Sequence, residues 1–249
     1  MATLLCMDVG ATSTKWSLLH HDSGGLVRGG RRKTAYPGSP LNISRTLLSR
    51  IAITNPDYVV IGFPGETRSG VVIDGANLPR MLPQGELVPE LVAAWKSFDL
   101  ESHLELESSK PIGVINDAEL FLRGAMRGEG LEIAITLGTG CGFAGAQDGE
   151  VLSLPDVGHR DLFSGHTYDA VLGESARRVD EQMWQRHVLD AIRSLCEEYQ
   201  PDIVHLGGGN AGRLPGEVIG SMETTTVRYR HDVVSLGALQ YFRERWGSQ

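Results

Sequence analysis

The sequence predicts an α/β protein built from two related lobes. Apolar stretches that read as strands alternate along the 249 residues with stretches of helical spacing. A strand, a glycine-hydroxyl turn and a second strand occur twice, around residues 8–15 and again around 137–142. With 41% hydrophobic residues and 31 glycines, the chain has enough apolar surface for one large core or two modest ones.

The first half reads as a β-meander followed by a βαβ unit. A polar turn at residues 22–25 leads from the second apolar stretch into a third that starts at Leu26. The predicted strands of this half are residues 4–9, 15–20, 58–62 and 112–115. The predicted helices are residues 41–53, 86–95 and 118–127.

The second half repeats this outline. Strands are predicted over residues 132–137, 143–146 and 203–206, and residues 147–150 form the bend of a hairpin. Apolar residues from Trp184 to Tyr199 share one helical face, and a final helix is predicted over about 233–246.

Composition excludes several classes of function. A net charge of -8 and a pI near 5.5 argue against a nucleic-acid binder, and the short basic run at residues 28–33 is interpreted as a solvated strand or loop. Cys6, Cys141 and Cys196 are widely spaced, which predicts neither disulfides nor a cysteine zinc site. No signal peptide or membrane span is recognisable. We therefore expect a soluble, cytoplasmic protein without nucleic-acid or membrane partners.

The first glycine-rich turn is a candidate phosphate site. Gly10 and Ala11 let the backbone approach an anion closely, while Thr12 and Lys15 supply donors. The same residue types also make an ordinary hairpin turn, so this segment alone leaves both interpretations open. Asp8 ends the preceding strand, where a carboxylate either holds a water on Mg²⁺ or accepts backbone hydrogen bonds.

Two more glycine-rich turns follow in the second half. Gly138, Thr139 and Gly140 form a hairpin turn without the lysine or the spacing of a Walker loop. With one such turn in each lobe, we expect the pair to hold a triphosphate between them. The third turn, at residues 207–209, is either a tight strand-to-helix connection or a ligand contact.

Asn116 and Asp117 follow the predicted strand at residues 112–115. Ligand groups in α/β proteins usually lie just beyond the carboxyl end of a strand. Asp117 therefore suits the role of a base that accepts a hydroxyl proton during phosphoryl transfer. The alternative is that the Asn-Asp pair is a helix N-cap, since Ala118 begins a helical stretch.

Seven short motifs occur in order along the chain, namely DVGATSTK, GFPG, GANLP, INDAE, LGTGCG, DVGH and LGGGN. This ordered set resembles the ROK family of sugar kinases, in the hexokinase, Hsp70 and actin superfamily, and within it the polyphosphate glucokinase branch. The resemblance extends from about Leu4 to the C-terminal helix. It implies a two-lobed actin-like ATPase (ribonuclease H-like) fold with a cleft between the lobes, and a homodimer.

The resemblance also implies chemistry, with Mg²⁺ as cofactor, ATP or polyphosphate as donor, and a hexose phosphorylated at its 6-position. Asp117 matches the catalytic base. The residues that match phosphate and nucleotide positions are Asp8, Gly10, Ala11, Thr12, Lys15, Gly138, Thr139, Gly140, Gly207, Gly208 and Gly209, with Asp8 reaching the metal through water. The residues that match sugar positions are Asn77, Asn116, Asp117, Asp156 and His159.

We expect an N-terminal small lobe over residues 1–116 and a C-terminal large lobe over 117–249, with the helix at about 233–246 packing back on the N-terminal lobe. Two features depart from the family pattern. The usual Glu-x-Gly-His signature has Asp156 at its acidic position, one methylene shorter, which leaves a different sugar or a cyclitol open as acceptor. The segment after His159 lacks the cysteines of a zinc loop, so no structural zinc is expected and His166 is interpreted as a surface residue.

The sequence alone leaves two rival functions open. One is a sugar or nucleotide sensor that has the fold but no turnover, against which Asp117 argues. The other is an actin-like or chaperone ATPase, for whose large insertions 249 residues leave little space. A polyphosphate donor favours a basic track, for which the candidates are Arg123, Arg127, Arg160, Arg177 and Arg178.

Overall fold

A computed structural model of the chain describes residues 2–82, 85–220, 222–229 and 233–247. The chain forms two compact units, of which the first comprises Met1–Leu120 with Val234–Gln249 and the second comprises Phe121–Val233. The lobe boundary between residues 116 and 117 stays a prediction. Across the described ranges, none of the helices combines the length and the apolar character needed to cross a membrane.

The strands are short to medium in length and occur throughout both units. They are β1 (Thr3–Val9), β2 (Ser13–His20), β3 (Leu26–Lys33), β4 (Tyr58–Phe63), β5 (Thr67–Arg68), β6 (Val71–Val72), β7 (Phe98–Asp99), β8 (Ile112–Asn116), β9 (Leu131–Leu137), β10 (Cys141–Gln147), β11 (Glu150–Leu152), β12 (Asp161–Phe163), β13 (His166–Thr167), β14 (Ile203–Gly207) and β15 (Thr225–Arg228).

The helices lie between the strands, with α5, α6 and α7 in direct succession, and a 3₁₀ turn occupies Ala211–Arg213. They are α1 (Pro40–Thr54), α2 (Pro89–Trp95), α3 (Leu100–Ser108), α4 (Asp117–Ala125), α5 (Tyr168–Leu172), α6 (Glu174–Val179), α7 (Glu181–Tyr199), α8 (Gly216–Gly220) and α9 (Val233–Trp246).

The two main sheets have the same strand order. In the first unit the order is β3-β2-β1-β4-β8, with an antiparallel meander at one side and two parallel pairings at the other. In the second unit the order β11-β10-β9-β14-β15 has the same pattern of antiparallel and parallel pairs. The strand repeat seen in the sequence is therefore a repeat of sheet topology.

Helices cover both faces of the first sheet. Leu5, Met7 and Val9 face one side and pack with residues of α1 and α3, whereas Leu4 and Cys6 face the other side and pack with α4 and α9. This arrangement follows from the alternation of side chains along a strand. The basic run at residues 28–33 lies in β3, where every residue is exposed, as predicted for a solvated strand.

Two predicted helices differ at their ends from the observed ones. The helix predicted over residues 86–95 begins at Pro89, because the residue before a proline is disfavoured in helical geometry and Val88 is extended. The helix predicted over 118–127 is α4, which begins at Asp117 and ends at Ala125. Beyond its end, the buried carboxylate of Glu132 accepts hydrogen bonds from the N–H groups of Arg127 and Gly128.

Candidate functional site

The predicted phosphate and catalytic residues of the first unit lie at one edge of its sheet. Because β1, β4 and β8 are parallel neighbours, Asp8 pairs with Gly62, and Gly62 pairs with Ile115. Asp8 and Ile115 are two strand spacings apart, about 10 Å between their Cα atoms. Asp117 follows Ile115 by two residues, so both carboxylates are at the carboxyl ends of their strands.

Asp8 also shares a face of the sheet with the start of α4. Because every second residue of a strand faces the same side, Asp8 lies on the same face as Leu4 and Cys6, which pack in one cluster with Leu120 of α4. Its carboxylate is 21% exposed, and Lys15 Nζ donates to Oδ2 over 3.2 Å from the directly opposite position on β2. The two charged residues of the first motif are therefore adjacent.

Asn116 fixes the position of Asp117. Its Oδ1 accepts hydrogen bonds from the N–H groups of Ala118, at 2.9 Å, and Glu119, at 3.1 Å, so Asn116 caps α4. Its Nδ2 donates to the carbonyl of Gly65 over 3.1 Å. The helix-cap alternative thus applies to Asn116, and its contact with sugar stays a prediction.

Gly62 allows α4 to begin close to the sheet. A Cβ at this position would lie 2.8 Å from Leu120 Cδ2 and 3.4 Å from Asp117 Cα. A larger residue would displace the start of α4, and Asp117 with it.

Asn77 lies in a loop connected to the same edge. Its Oδ1 accepts from Arg80 Nη2 over 2.9 Å, and Asp74 Oδ1 accepts from the N–H of Ala76 over 2.7 Å. Gly65, which Asn116 contacts, packs directly against the backbone of Asp74. The loop with Asn77, the GFPG segment and the start of α4 are therefore contiguous.

The second unit holds the turn formed by Gly138, Thr139 and Gly140. Gly138 N–H donates to the carbonyl of Gly140 over 3.0 Å, which closes the turn. The Gly138 carbonyl accepts from the N–H of Glu174 over 3.0 Å and from Asn210 Nδ2 over 3.1 Å. Two other segments of the unit thus fix this turn.

The glycines at residues 207–209 pack against the same turn. Gly208 has a φ of 85°, and a Cβ there would overlap the backbone of Leu137. Asn210 N–H donates to the Leu137 carbonyl over 2.9 Å. Gly207 lies against the Phe121 ring, whereas Gly209 has open space where a Cβ would be. Of the three glycines, Gly209 offers the most room to a ligand.

Asp156 and His159 are exposed in the second unit. Asp156 Oδ1 accepts from Gly158 N–H over 3.0 Å, so the carboxylate forms a local turn within its own motif. Burial raises the pKa of the Cys141 thiol, and the carboxylates of Asp169 and Asp156 raise it further. These carboxylates therefore lie near the second glycine-rich turn.

Three of the arginines considered for a basic track are engaged by carboxylates. Arg160 Nη2 lies 2.6 Å from Glu198 Oε2, and Arg177 and Arg178 both bind Glu174. In the described residues, no three His, Cys, Asp or Glu side chains are grouped closely enough to hold a metal ion. Asp8 remains the residue predicted to reach a metal, through water.

No protein-family model matches the chain. The sequence is 24% identical over 220 residues to the polyphosphate glucokinase of Mycobacterium leprae, an alignment that covers 82% of this chain and 62% of that relative. The chain thus spans less than two thirds of the length of this relative.

Solved structures resemble the protein more completely. The inorganic polyphosphate/ATP-glucomannokinase from Arthrobacter sp. strain KM has a TM-score of 0.82 at 22% identity, covering 98% of this chain and 100% of that one. The chain has the fold of the ROK sugar kinases. A ROK family glucokinase from Streptomyces griseus, solved with glucose and AMPPNP, has a TM-score of 0.70 at 14% identity and covers 98% and 100% of the two chains. The predicted two-lobed, actin-like fold class is confirmed.

Several residues that shape this ROK fold near the predicted motifs belong to no motif. Asp169 Oδ1 accepts from Cys141 N–H over 2.6 Å, and Asp169 N–H donates to the Gly158 carbonyl over 2.9 Å. Thr34 and Tyr36 contact the first glycine-rich turn in the first unit. Their partners are 24 to 28 positions away in sequence, so no local pattern identifies them.

Proposed function

We propose that this protein is a sugar kinase that transfers the terminal phosphoryl group of ATP, or of polyphosphate, to the 6-hydroxyl of a glucose-like hexose. Its similarity to polyphosphate glucokinase over 82% of the chain supports the reaction class. The structural likeness to a polyphosphate/ATP-glucomannokinase supports the same class at the level of fold.

The observation that carries the proposal is the position of Asp8 and Asp117. Both lie at the carboxyl edge of one parallel set of strands and on one face of the sheet. This is where α/β proteins bind ligands. A phosphate held near Asp8 and Lys15 would be presented toward the start of α4, where Asp117 is located.

Asp117 is the proposed general base. It accepts the proton of the sugar hydroxyl while that oxygen bonds to the terminal phosphorus of the donor. The bond from phosphorus to the bridging oxygen breaks, and ADP or a shortened polyphosphate leaves with the electron pair. Lys15 and the N–H groups of the glycine-rich turn offset the charge of the phosphate oxygens.

Mg²⁺ fits the donor side of this site. Asp8 offers one partly exposed carboxylate at a strand end, and Mg²⁺ is commonly bound by one or two carboxylates, phosphate oxygens and several waters. Asp8 would hold the ion through water, and the bound ion would neutralise charge on the donor phosphates.

The acceptor is proposed to contact Asn77, Asn116, Asp156 and His159. Asp156 is shorter than the glutamate of the family pattern and is engaged by Gly158 N–H, which favours testing sugars beyond glucose. A different hexose or a cyclitol is therefore the second candidate acceptor. We also propose that the protein is cytoplasmic, which the three isolated cysteines support. We propose that it forms a homodimer, which the family resemblance supports.

The test measures phosphoryl transfer with a panel of hexoses, amino sugars and polyols, using ATP and polyphosphate in turn. Asp117→Ala and Asp117→Asn should lower kcat by about 10²- to 10⁴-fold, the range for loss of a general base. Binding of Mg²⁺-ADP, measured by calorimetry, should stay within about twofold because the base acts on the sugar. Asp22→Asn, which alters an exposed carboxylate, is the matched control.

One result would contradict the assigned base, and another would contradict the function itself. Full activity of Asp117→Ala would remove the assigned base. If the wild-type protein transfers no phosphate to any acceptor but is thermally stabilised by a sugar or nucleotide, the protein is a sensor rather than a kinase.

A further inference from the structure

The turn at residues 10–12 is held from one side by a short segment of chain, residues 34–36. Thr34 Oγ1 donates a hydrogen bond to the carbonyl of Gly10, and Tyr36 Oη donates to the carbonyl of Ala11 over 2.7 Å. Thr34 N–H donates to the carbonyl of Thr12 over 3.2 Å. Three consecutive carbonyls of the turn are therefore satisfied by two residues.

The direction of these carbonyls determines the direction of the neighbouring amides. In a trans peptide unit, the C=O of one residue and the N–H of the next point in opposite directions. With the carbonyls of residues 10–12 directed at Thr34 and Tyr36, the N–H groups of residues 11–13 are directed away from them. Within the described part of the chain, neither the Ala11 nor the Thr12 N–H donates to a backbone acceptor. Successive N–H groups directed to one side form an anion site.

Residues 34–36 belong to a well-anchored segment. Thr34 is 7% exposed. Downstream, Gly38 N–H donates to the Arg80 carbonyl over 2.9 Å, and the Gly38 carbonyl accepts from Trp95 Nε1 over 2.8 Å. Because these contacts fix the segment, its two hydroxyl groups stay in place and hold the turn in its position.

Tyr36 also stays protonated, which is the form of its hydroxyl that can donate a hydrogen bond. Burial raises the pKa of its hydroxyl, and the nearby charge of Arg80 only partly opposes that effect. The hydroxyl is therefore protonated at neutral pH. Its hydrogen bond to Ala11 is available under all ordinary assay conditions.

We propose that Thr34 and Tyr36 are positioning residues for the phosphoryl donor, because they orient the amides of residues 11–13 toward its phosphate. This inference rests on the proposed function, which takes the turn as a phosphate site. It adds two residues that do not touch the donor themselves. Because both hydroxyl groups donate to the turn, we expect their effect to appear in donor binding.

The experiment compares Tyr36→Phe, Thr34→Val and Thr34→Ser with the wild-type protein. Phe removes only the hydroxyl, Val removes the Thr34 hydroxyl but keeps the shape, and Ser restores it. Thr54→Val is the matched control, since it removes a similar hydroxyl bond to a carbonyl, 2.8 Å long, at the end of α1. Binding of inorganic tripolyphosphate and of Mg²⁺-ADP is measured by calorimetry, and KM is measured separately for donor and sugar.

Tyr36→Phe and Thr34→Val should each weaken tripolyphosphate and ADP binding and raise the donor KM by about 3- to 10-fold, the scale of one hydrogen bond. The sugar KM should change by less than about twofold, and Thr34→Ser should return the donor KM to near the wild-type value. Circular dichroism and the melting temperature verify that each variant is folded. Equal increases in both KM values, or unchanged donor binding in folded variants, would overturn the positioning role.

The binding measurements separate this inference from the proposed function. If the wild-type protein has no kinase activity but binds tripolyphosphate, a weaker affinity in Tyr36→Phe and Thr34→Val still supports the positioning role. If the wild-type protein is an active kinase and both variants bind donor as well as it does, the function stands and the positioning role is wrong.

Discussion

Asp169 connects two glycine-containing segments of the second unit through one carboxylate. Its Oδ1 accepts from Cys141 N–H, directly after the Gly138–Gly140 turn, and would lie 3.0 Å from a Cβ on Gly158. Its own N–H binds the Gly158 carbonyl. The turn predicted to contact phosphate and the segment predicted to contact sugar therefore share one supporting side chain.

Glu174 illustrates how charge supports the same turn. Its backbone N–H holds the Gly138 carbonyl, while its carboxylate accepts from Arg177 Nε over 2.9 Å and from Arg178 Nε over 2.7 Å. Hydrogen bonds from Arg177, which outweigh partial burial, and from Arg178 lower the pKa of Glu174 from 4.5 to about 2. The folded state therefore favours the ionised carboxylate.

A pH-dependent stability difference follows from this lowered pKa. Because the pKa is lower in the folded than in the unfolded state, the stabilisation is fully present above about pH 4.5 and is lost as the pH falls toward 2. Glu174→Gln should lower the free energy of unfolding at pH 7 by about 1 kcal/mol, and this difference should shrink between pH 4.5 and 3. Urea denaturation at several pH values measures it, with the exposed Glu197→Gln as control. A difference independent of pH would show that the ion pairs are not its source.

At the scale of elements, the buried strands of the two main sheets were predictable because they produce continuous apolar runs bounded by turns, whereas β11 and β15, which have no fully buried residue, were not predicted. Helix α3 was not predicted, because its nine residues have only Leu100 and Leu104 as buried leucines while Leu106 is 80% exposed. Leu104 and Leu106, two positions apart, do not fit a helical period, and one further leucine is too few to establish it. The glycine-rich turns were predictable for a similar reason, since they follow strong strands, whereas Thr34 and Tyr36 act through tertiary contacts.

Helix α9 is attached to the first unit by a charged contact as well as by its apolar face. Arg245 donates to both carboxylate oxygens of Glu101, at 2.6 and 3.1 Å, and to Tyr241 Oη at 2.7 Å. Glu101 Oε2 also accepts from the N–H of Val114 in β8 over 2.8 Å. Glu101 is only 9% exposed, and its carboxylate thus connects α3, β8 and α9.

Arg245→Ala should therefore destabilise the protein more than removal of an ordinary surface charge. Loss of the guanidinium leaves the Glu101 carboxylate without its charged partner in a nearly buried position, which costs about 1–3 kcal/mol. Urea denaturation followed by circular dichroism measures the free energy of unfolding. Arg243→Ala, an exposed arginine on the same helix, should change it by less than about 0.5 kcal/mol. Equal effects of the two substitutions would mean that the contact with Glu101 contributes nothing specific.

At the scale of the whole molecule, the first unit is built from both ends of the chain. Residues from β1, β2 and β4 form one apolar cluster with residues of α9, including Leu4, Leu19, Val60, Leu239 and Phe242. Phe242 also packs edge-on against Tyr58, with ring centroids 4.8 Å apart. The sequence predicted α9 with nearly its observed bounds, but helical periodicity alone does not say which sheet a helix covers.

The dependence of this sheet face on α9 leads to a prediction about truncation. A chain that ends at residue 232 would remove the part of the cover over Leu4, Cys6 and Val60 that α9 supplies, and a large exposed apolar patch destabilises a soluble domain or causes association. We expect this truncated protein to bind the dye ANS and to unfold without the cooperative transition of the full chain. A chain ending after Trp246 keeps the whole helix and is the matched control, which should unfold like the full-length protein. A loss of about 1 kcal/mol in the free energy of unfolding would shift the melting temperature of a protein of this size by at least about 2 °C. If the shorter chain melts cooperatively within about 2 °C of the control and binds no ANS, this face of the sheet is therefore stable without α9.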